Sequence, residues 1–224
     1  MGDRGPKPKG KVKIKWTANF AYAIGLLATD GCLSPDGRHI ELTSSDTEQL
    51  ENFKKCLCLK VKIGFKKGIS GRNSSRVQFG DVLFYRFLEG IGLSSAKSLT
   101  LSKIEIPDKY FFDFLRGCFD GDGCSYSYWD PRWKSSFMFY MSFASASKDF
   151  ISWVRKEVKQ RIGIIGHLTT TKSTNPYFQI KYAKNEGIKL VREVYKNKGS
   201  ICLKRKMLKI NESLSTIGVS LIRY

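Results

Sequence analysis

Two nine-residue stretches of this chain carry one pattern: Ala23-Ile24-Gly25-Leu26-Leu27-Ala28-Thr29-Asp30-Gly31 and Leu115-Arg116-Gly117-Cys118-Phe119-Asp120-Gly121-Asp122-Gly123. Each is an apolar run with an internal glycine, then a small residue, then Asp-Gly. Asp-Gly after an apolar run is an ordinary turn signal when it occurs once. Two copies about half a chain apart, each followed by the same downstream pattern, imply an internal duplication. Gly25 and Thr29 are four apart, as are Gly117 and Gly121. Small residues at that spacing make a smooth stripe on one helix face, so two such helices can approach closely. Phe20, Ile24, Leu27, Phe112, Leu115 and Phe119 read as packing residues around that contact.

The elements on either side repeat as well. In the first half a helix is expected over 17–29, after the capping residues Thr17-Ala18-Asn19. A strand pair over 32–44 turns at Pro35-Asp36-Gly37, and a helix capped by Ser45-Asp46-Thr47 runs to about Leu59. Strands over 60–67 and 75–79 and a helix over 82–90 close the half. In the second half a helix starts at Pro107-Asp108 and runs to Asp122. A hairpin turns near Asp130-Pro131-Arg132, and Ser147-Lys148-Asp149 caps a helix to Arg161. Strands over 166–171 and 177–182 and a helix over 185–195 complete it. The expected fold is α+β: two pseudo-symmetric αββαββα subdomains at 17–93 and 110–212, joined by a linker at 94–109. A flexible basic arm (1–16) precedes them and a tail (213–224) follows.

Composition narrows the partner. Lys and Arg outnumber Asp and Glu 39 to 20, a net charge of +19. A charge this large points to a polyanion, nucleic acid first. The six cysteines form no paired CxxC arrangement and only two histidines are present, which argues against zinc. No apolar run is long enough to span a membrane. An intracellular protein of a bacterial cytoplasm or an organelle is expected, with reduced, mostly packed thiols.

If the duplicated helices pack side by side, Asp30 and Asp122 meet at their C-terminal ends. Those ends already carry partial negative charge and unpaired carbonyls. Two carboxylates added there are electrostatically poor unless a cation binds, and hard oxygen ligands suit Mg²⁺, with Mn²⁺ as a substitute.

Both stretches resemble the motif of the LAGLIDADG homing endonucleases. Gly25 and Gly117 fall on its third position, and Asp30-Gly31 and Asp122-Gly123 on its last two. The second copy also keeps Asp120 at the sixth position, where the first has Ala28. The resemblance covers about Thr17 to Lys206. It implies a monomeric, two-motif, site-specific double-strand DNA endonuclease, encoded within an intron, that cuts across the minor groove and leaves short 3′ overhangs. It further implies that Asp30 and Asp122, with the carbonyls of Thr29 and Gly121, hold the metal. Lys97, Lys206 (or Lys204), Ser44 and Ser145 match the basic and polar positions beside each centre. The same fold also serves RNA-binding intron maturases, which makes host intron RNA the alternative partner. Eight strands in two sheets would form a saddle along the major groove, with alternate strand residues facing the DNA. Its candidate contacts are Arg38, Glu41, Lys62, Lys66, Arg72, Arg76 and Gln78 in the first half. In the second they are Tyr126, Tyr128, Arg132, Lys134, Lys172, Gln179 and Lys181. Trp129 and Trp133 are expected to pack under their hairpin.

Overall fold

Each half of the chain builds one four-stranded antiparallel sheet with helices on one face, and the computed structural model describes residues 10–67, 73–171, 174 and 176–220. In the first half, α1 (Ala18–Thr29) starts where the Thr17 hydroxyl accepts from the Phe20 N–H at 3.1 Å. β1 (Gly31–Leu33) and β2 (His39–Ser44) flank a turn in which Asp36 accepts from the Arg38 and His39 amides, both at 3.0 Å. α2 (Thr47–Leu57) is capped by Asp46. β3 (Gly64–Lys67), β4 (Asn73–Gly80) and α3 (Val82–Gly90), capped by Asp81, follow. The sheet order is β1-β2-β4-β3.

A short helix, α4 (Lys97–Thr100), and a 3₁₀ turn (Asp108–Tyr110) lead into α5 (Phe111–Asp122). β5 (Cys124–Trp129), β6 (Phe137–Ser145), α6 (Lys148–Ile162), β7 (His167–Thr170), β8 (Phe178–Ala183) and α7 (Lys184–Val194) repeat the first half. The order β5-β6-β8-β7 is the same. A last helix, α8 (Lys204–Ser215), packs against β5. The covered face of each sheet is apolar, with Ile40, Leu42, Val77 and Phe79 in one half and Phe139, Met141, Phe143 and Ile180 in the other. Burying each such side chain contributes about 1.5–3 kcal/mol.

The two halves meet along α1 and α5. A Cβ on Gly25 would lie 2.2 Å from the Phe114 carbonyl oxygen, and one on Gly117 would lie 2.1 Å from the Tyr22 oxygen. Both neighbours are backbone, which cannot swing away, so only glycine permits this contact. The apolar residues on both sides of it are buried, Ile24, Leu26 and Leu27 on α1 and Phe114, Leu115 and Phe119 on α5 among them.

Four local expectations need correction. Residues 10–16 are tethered rather than free along their length: the Lys11 and Val12 amides donate to Asp81 at 2.6 and 2.9 Å and Val12 is buried, while Lys11, Lys13, Ile14 and Lys15 stay exposed. Lys62 precedes β3 in a loop. Trp129 and Trp133 are exposed, at 49% and 69%: Trp129 is the last residue of β5, in edge contact with Phe137, and Trp133 lies in the turn that follows. The helix α8, not anticipated, occupies a stretch whose described residues bury only Ile210 and Leu214.

Candidate functional site

Asp30 is the C-cap of α1 and Asp122 the last residue of α5. The close crossing carries on to these ends. A Cβ on Gly121 would lie 2.0 Å from the Thr29 hydroxyl oxygen and 2.8 Å from Asp30 Oδ2, so the Asp30 carboxylate lies against the residue that precedes Asp122. Burial, then the negative charge of Asp122, pushes the Asp30 pKa from 3.8 up to about 6. Asp122 reaches solvent, yet desolvation by the groups packed around it still raises its pKa, with Lys206 and Lys97 opposing. Two carboxylates that repel each other beside helix carbonyls form an environment a cation would relieve.

A lysine attends each motif. Lys97, on α4, is buried at 6% exposure and donates to the carbonyl of Gly31. Lys206, on α8, donates to the carbonyl of Gly123 at 2.7 Å, and to those of Phe119, Asp120 and Gly121 at 2.6, 2.9 and 3.1 Å. Gly31 and Gly123 are the final glycines of the two stretches, so the two lysines occupy corresponding places. Burial lowers the pKa of both. Lys204 is exposed, and its amide is 3.4 Å from Glu48 Oε1 on α2.

The serines differ between halves. Ser44 donates to Gln49 Oε1 at 2.6 Å, and Gln49 Nε2 donates to Asp30 Oδ2 at 2.7 Å, a relay from strand end to carboxylate. Both serines accept the amide two residues on, Ser44 from Asp46 at 3.0 Å and Ser145 from Ser147 at 3.1 Å, so each supports the helix that follows and only Ser44 adds the relay. Among the described residues no hydrogen bond joins Ser145 to Asp122. Sequence reading missed Gln49 because Asp46-x-x-Gln49 has the spacing of a capping box, in which the glutamine would turn back to the cap.

The uncovered faces of the sheets carry most of the candidate contacts. On the first, Glu41 is 8% exposed because Lys66 and Arg76 close over it at 2.6 and 2.9 Å, and Thr43 donates to it at 3.0 Å. Burial raises its pKa, but these donors together outweigh that and hold it below the usual value. Gln78 pairs with Glu41 across the strands and is exposed, and Arg38 lies exposed in the adjoining turn. On the second, Tyr126, Tyr128 and Tyr140 form a three-ring cluster with nearly parallel planes, their centroids 4.9 Å apart for Tyr126–Tyr140, 6.2 Å for Tyr128–Tyr140 and 6.5 Å for Tyr126–Tyr128. Tyr140 was missed, although alternation along β6 puts it on the face of Tyr126, its cross-strand partner. Gln179 and Lys181 lie on the same face of β8. Arg132 and Lys134 sit in the β5–β6 turn, where Arg132 pairs with Asp130 at 3.1 Å. Arg72 and Lys172 lie outside the described residues.

Among the described residues no group of three His, Cys, Asp or Glu side chains converges on one point. A metal here would therefore depend on the two carboxylates and on carbonyl oxygens, a hard donor set that fits Mg²⁺ or Mn²⁺. No described helix is long and apolar enough to cross a membrane.

No protein-family model and no curated protein matches the chain. Solved structures do match. The full-length DUF199/WhiA protein from Thermatoga maritima superposes with a TM-score of 0.55 at 15% identity, covering 93% of this chain, which spans 64% of that protein. The I-LtrWI LAGLIDADG homing endonuclease bound to its target DNA gives 0.55 at 14% identity, over 92% of this chain and 93% of that one. The LAGLIDADG meganuclease I-AabMI, bound to uncleaved DNA, gives 0.59 at 14% identity, over 88% and 89%.

Proposed function

Given that this chain has the fold of the LAGLIDADG homing endonucleases, we propose that it is a site-specific double-strand DNA endonuclease. It acts as a monomer, hydrolyses one phosphodiester in each strand across the minor groove, and leaves short 3′ overhangs. The observation that supports this best is the meeting of Asp30 and Asp122 at the ends of two helices in backbone contact, each stretch with a lysine on the carbonyl of its final glycine.

Asp30 and Asp122, with the carbonyls of Thr29 and Gly121, would hold Mg²⁺ or Mn²⁺. Such an ion, when bound, lowers the pKa of its water and offsets charge on the leaving 3′ oxygen. Gln49 orients the Asp30 carboxylate and keeps one of its oxygens engaged. Lys97 and Lys206 place positive charge at each motif end, where it offsets the charge of the attacked phosphate. Lys66, Arg76 and Gln78 in one half, and Gln179, Lys181 and the tyrosine cluster in the other, face the bases and backbone of the groove. The net charge of +19 draws the duplex in.

The test is linearisation, in Mg²⁺, of a plasmid carrying the uninterrupted form of the DNA in which the coding sequence lies, beside the same plasmid with that junction scrambled. Cutting of the first alone supports the reading. Gel-shift binding without cutting leaves a DNA-binding protein of this fold. Tight binding to the host intron RNA alone moves the assignment to a maturase.

A further inference from the structure

The second stretch keeps a carboxylate, Asp120, where the first has Ala28. Asp120 is 1% exposed. Its Oδ2 accepts two hydrogen bonds at 2.7 Å, from the Tyr22 hydroxyl of α1 and from the backbone amide of Leu203. Its Oδ1 is buried with no partner. A buried carboxylate with one oxygen unpaired is costly, and burial pushes its pKa up to about 6. Packing alone would favour a small apolar residue there, as Ala28 shows at the matched position.

The Leu203 amide gives this carboxylate a structural task. Leu203 is the N-cap residue of α8, and no side chain of its own caps that helix. The stretch before α8 is held one backbone group at a time. Arg116 Nε donates to the Ile201 carbonyl at 3.0 Å, and Asn52 Nδ2 donates to the Cys202 carbonyl at 2.9 Å. Asp120 takes the Leu203 amide, so of these three contacts it alone holds the first residue of the helix cap. One turn on, Lys206 reaches the carbonyls at the end of α5. The start of α8 is thus fixed to α5 by Asp120 and by Lys206, and its exposed side to the cap of α2 by the Arg205–Asp46 ion pair at 2.6 Å; only Asp120 holds the cap residue itself. Among the described residues Lys97 has no such arrangement: no side chain accepts the amide of Ala96, the N-cap residue of α4, and Ala28 supplies no acceptor.

We propose that Asp120 is a positioning residue for Lys206: by accepting the Leu203 amide it sets the start of α8 and thereby the reach of the ammonium to the second centre only. This rests on the nuclease reading, and it makes the two strand cuts depend on different supports.

The experiment follows both strands of a target duplex, each labelled separately, in Mg²⁺. Lys206→Met and Lys97→Met first identify the strand each lysine serves. Asp120→Ala should then slow the Lys206 strand by roughly 10²-fold, the scale for misplacing a reacting group by about an ångström. The Lys97 strand should stay within about twofold of wild type, so that nicked product accumulates. Asp120→Asn keeps the accepting oxygen and should restore the wild-type strand ratio. Leu203→Pro removes the same hydrogen bond from its donor end, at a residue whose φ of −72° already suits proline, and should give the Asp120→Ala bias. It decides the matter if Asp120→Ala does not fold. A folded Asp120→Ala or Leu203→Pro that slows both strands equally, or neither, overturns the proposal, as does an Asp120→Asn as biased as alanine. A wild type that cuts neither strand removes the nuclease reading and this inference with it. A wild type that cuts both, beside variants with an unchanged ratio, removes the inference alone.

Discussion

Gln49 donates to Asp30 at 2.7 Å, and the residue at its place in the second half, three after the helix cap, is Phe150. The two motif carboxylates are therefore held differently. The Gln49 hydrogen bond lowers the Asp30 pKa against burial and Asp122. Gln49→Ala should let it rise further, because a hydrogen bond to the charged form is lost. Cleavage measured against pH should show its acid limb displaced upward. An unchanged acid limb would count against the relay.

The same carboxylates should weaken the fold they serve. Because the folded-state pKa of Asp30 is about 6 against an ordinary 3.8, the folded protein binds that proton more tightly than the unfolded chain does. Its contribution to stability is most favourable below the ordinary value and is lost as pH rises through about 6. At neutral pH without metal, Asp30→Asn and Asp122→Asn should each raise Tm, by roughly 2–4 °C for every kcal/mol of relieved repulsion. Both should abolish double-strand cleavage and leave gel-shift binding intact or tighter. Added Mg²⁺ should raise Tm in the wild type and not in the variants. Wild-type linearisation rates in both variants would remove the proposed centre.

Gly117→Ala adds a single methyl, at 2.1 Å from the Tyr22 oxygen. With backbone as the obstacle, α1 and α5 must separate, and the cost should reach or exceed the roughly 1–3 kcal/mol usual for overpacking. Chemical denaturation of the variant measures it. A Gly117→Ala protein as stable as wild type would show that the helices are not in direct contact.

On the first sheet, Glu41 holds Lys66 and Arg76 at 2.6 and 2.9 Å. Glu41→Gln should release both cations to phosphate. The fall of log affinity with log salt should then steepen, by roughly 0.9 for each phosphate gained, and the preference for target over scrambled duplex should narrow. Filter binding over a salt series reads both. An unchanged slope would place these cations away from the DNA.

The architecture was legible in the sequence because its determinants are local. Thr17, Asp46 and Ser147 cap the helices they precede, Pro35-Asp36-Gly37 turns its hairpin, and the bounds of α3 fall where Asp81 and Gly90 put them. The motif aspartates and Gly25 and Gly117 were legible because duplication makes a weak signal repeat. What escaped reading depends on distant partners. Gln49 looks like a capping residue until β1 and α1 bring Asp30 beside it. The helix α8 is polar over most of its length, and its start is defined by Asp120, more than eighty residues earlier. The exposure of Trp129 and Trp133 follows from their places at the strand end and in the turn, where no described element covers them, and no periodicity records that.

The backbone contact of Gly25 with Gly117 has a consequence for what the molecule can measure. Two helices pressed together without intervening side chains have no soft layer to compress or swell, so the separation of their acidic tips behaves as a fixed gauge. In a nuclease built this way the stagger between the two cuts is a constant of the protein. Changes on the outer faces of the sheets can alter which sequence is read, while the number of bases left single-stranded stays the same until one of those two glycines is replaced.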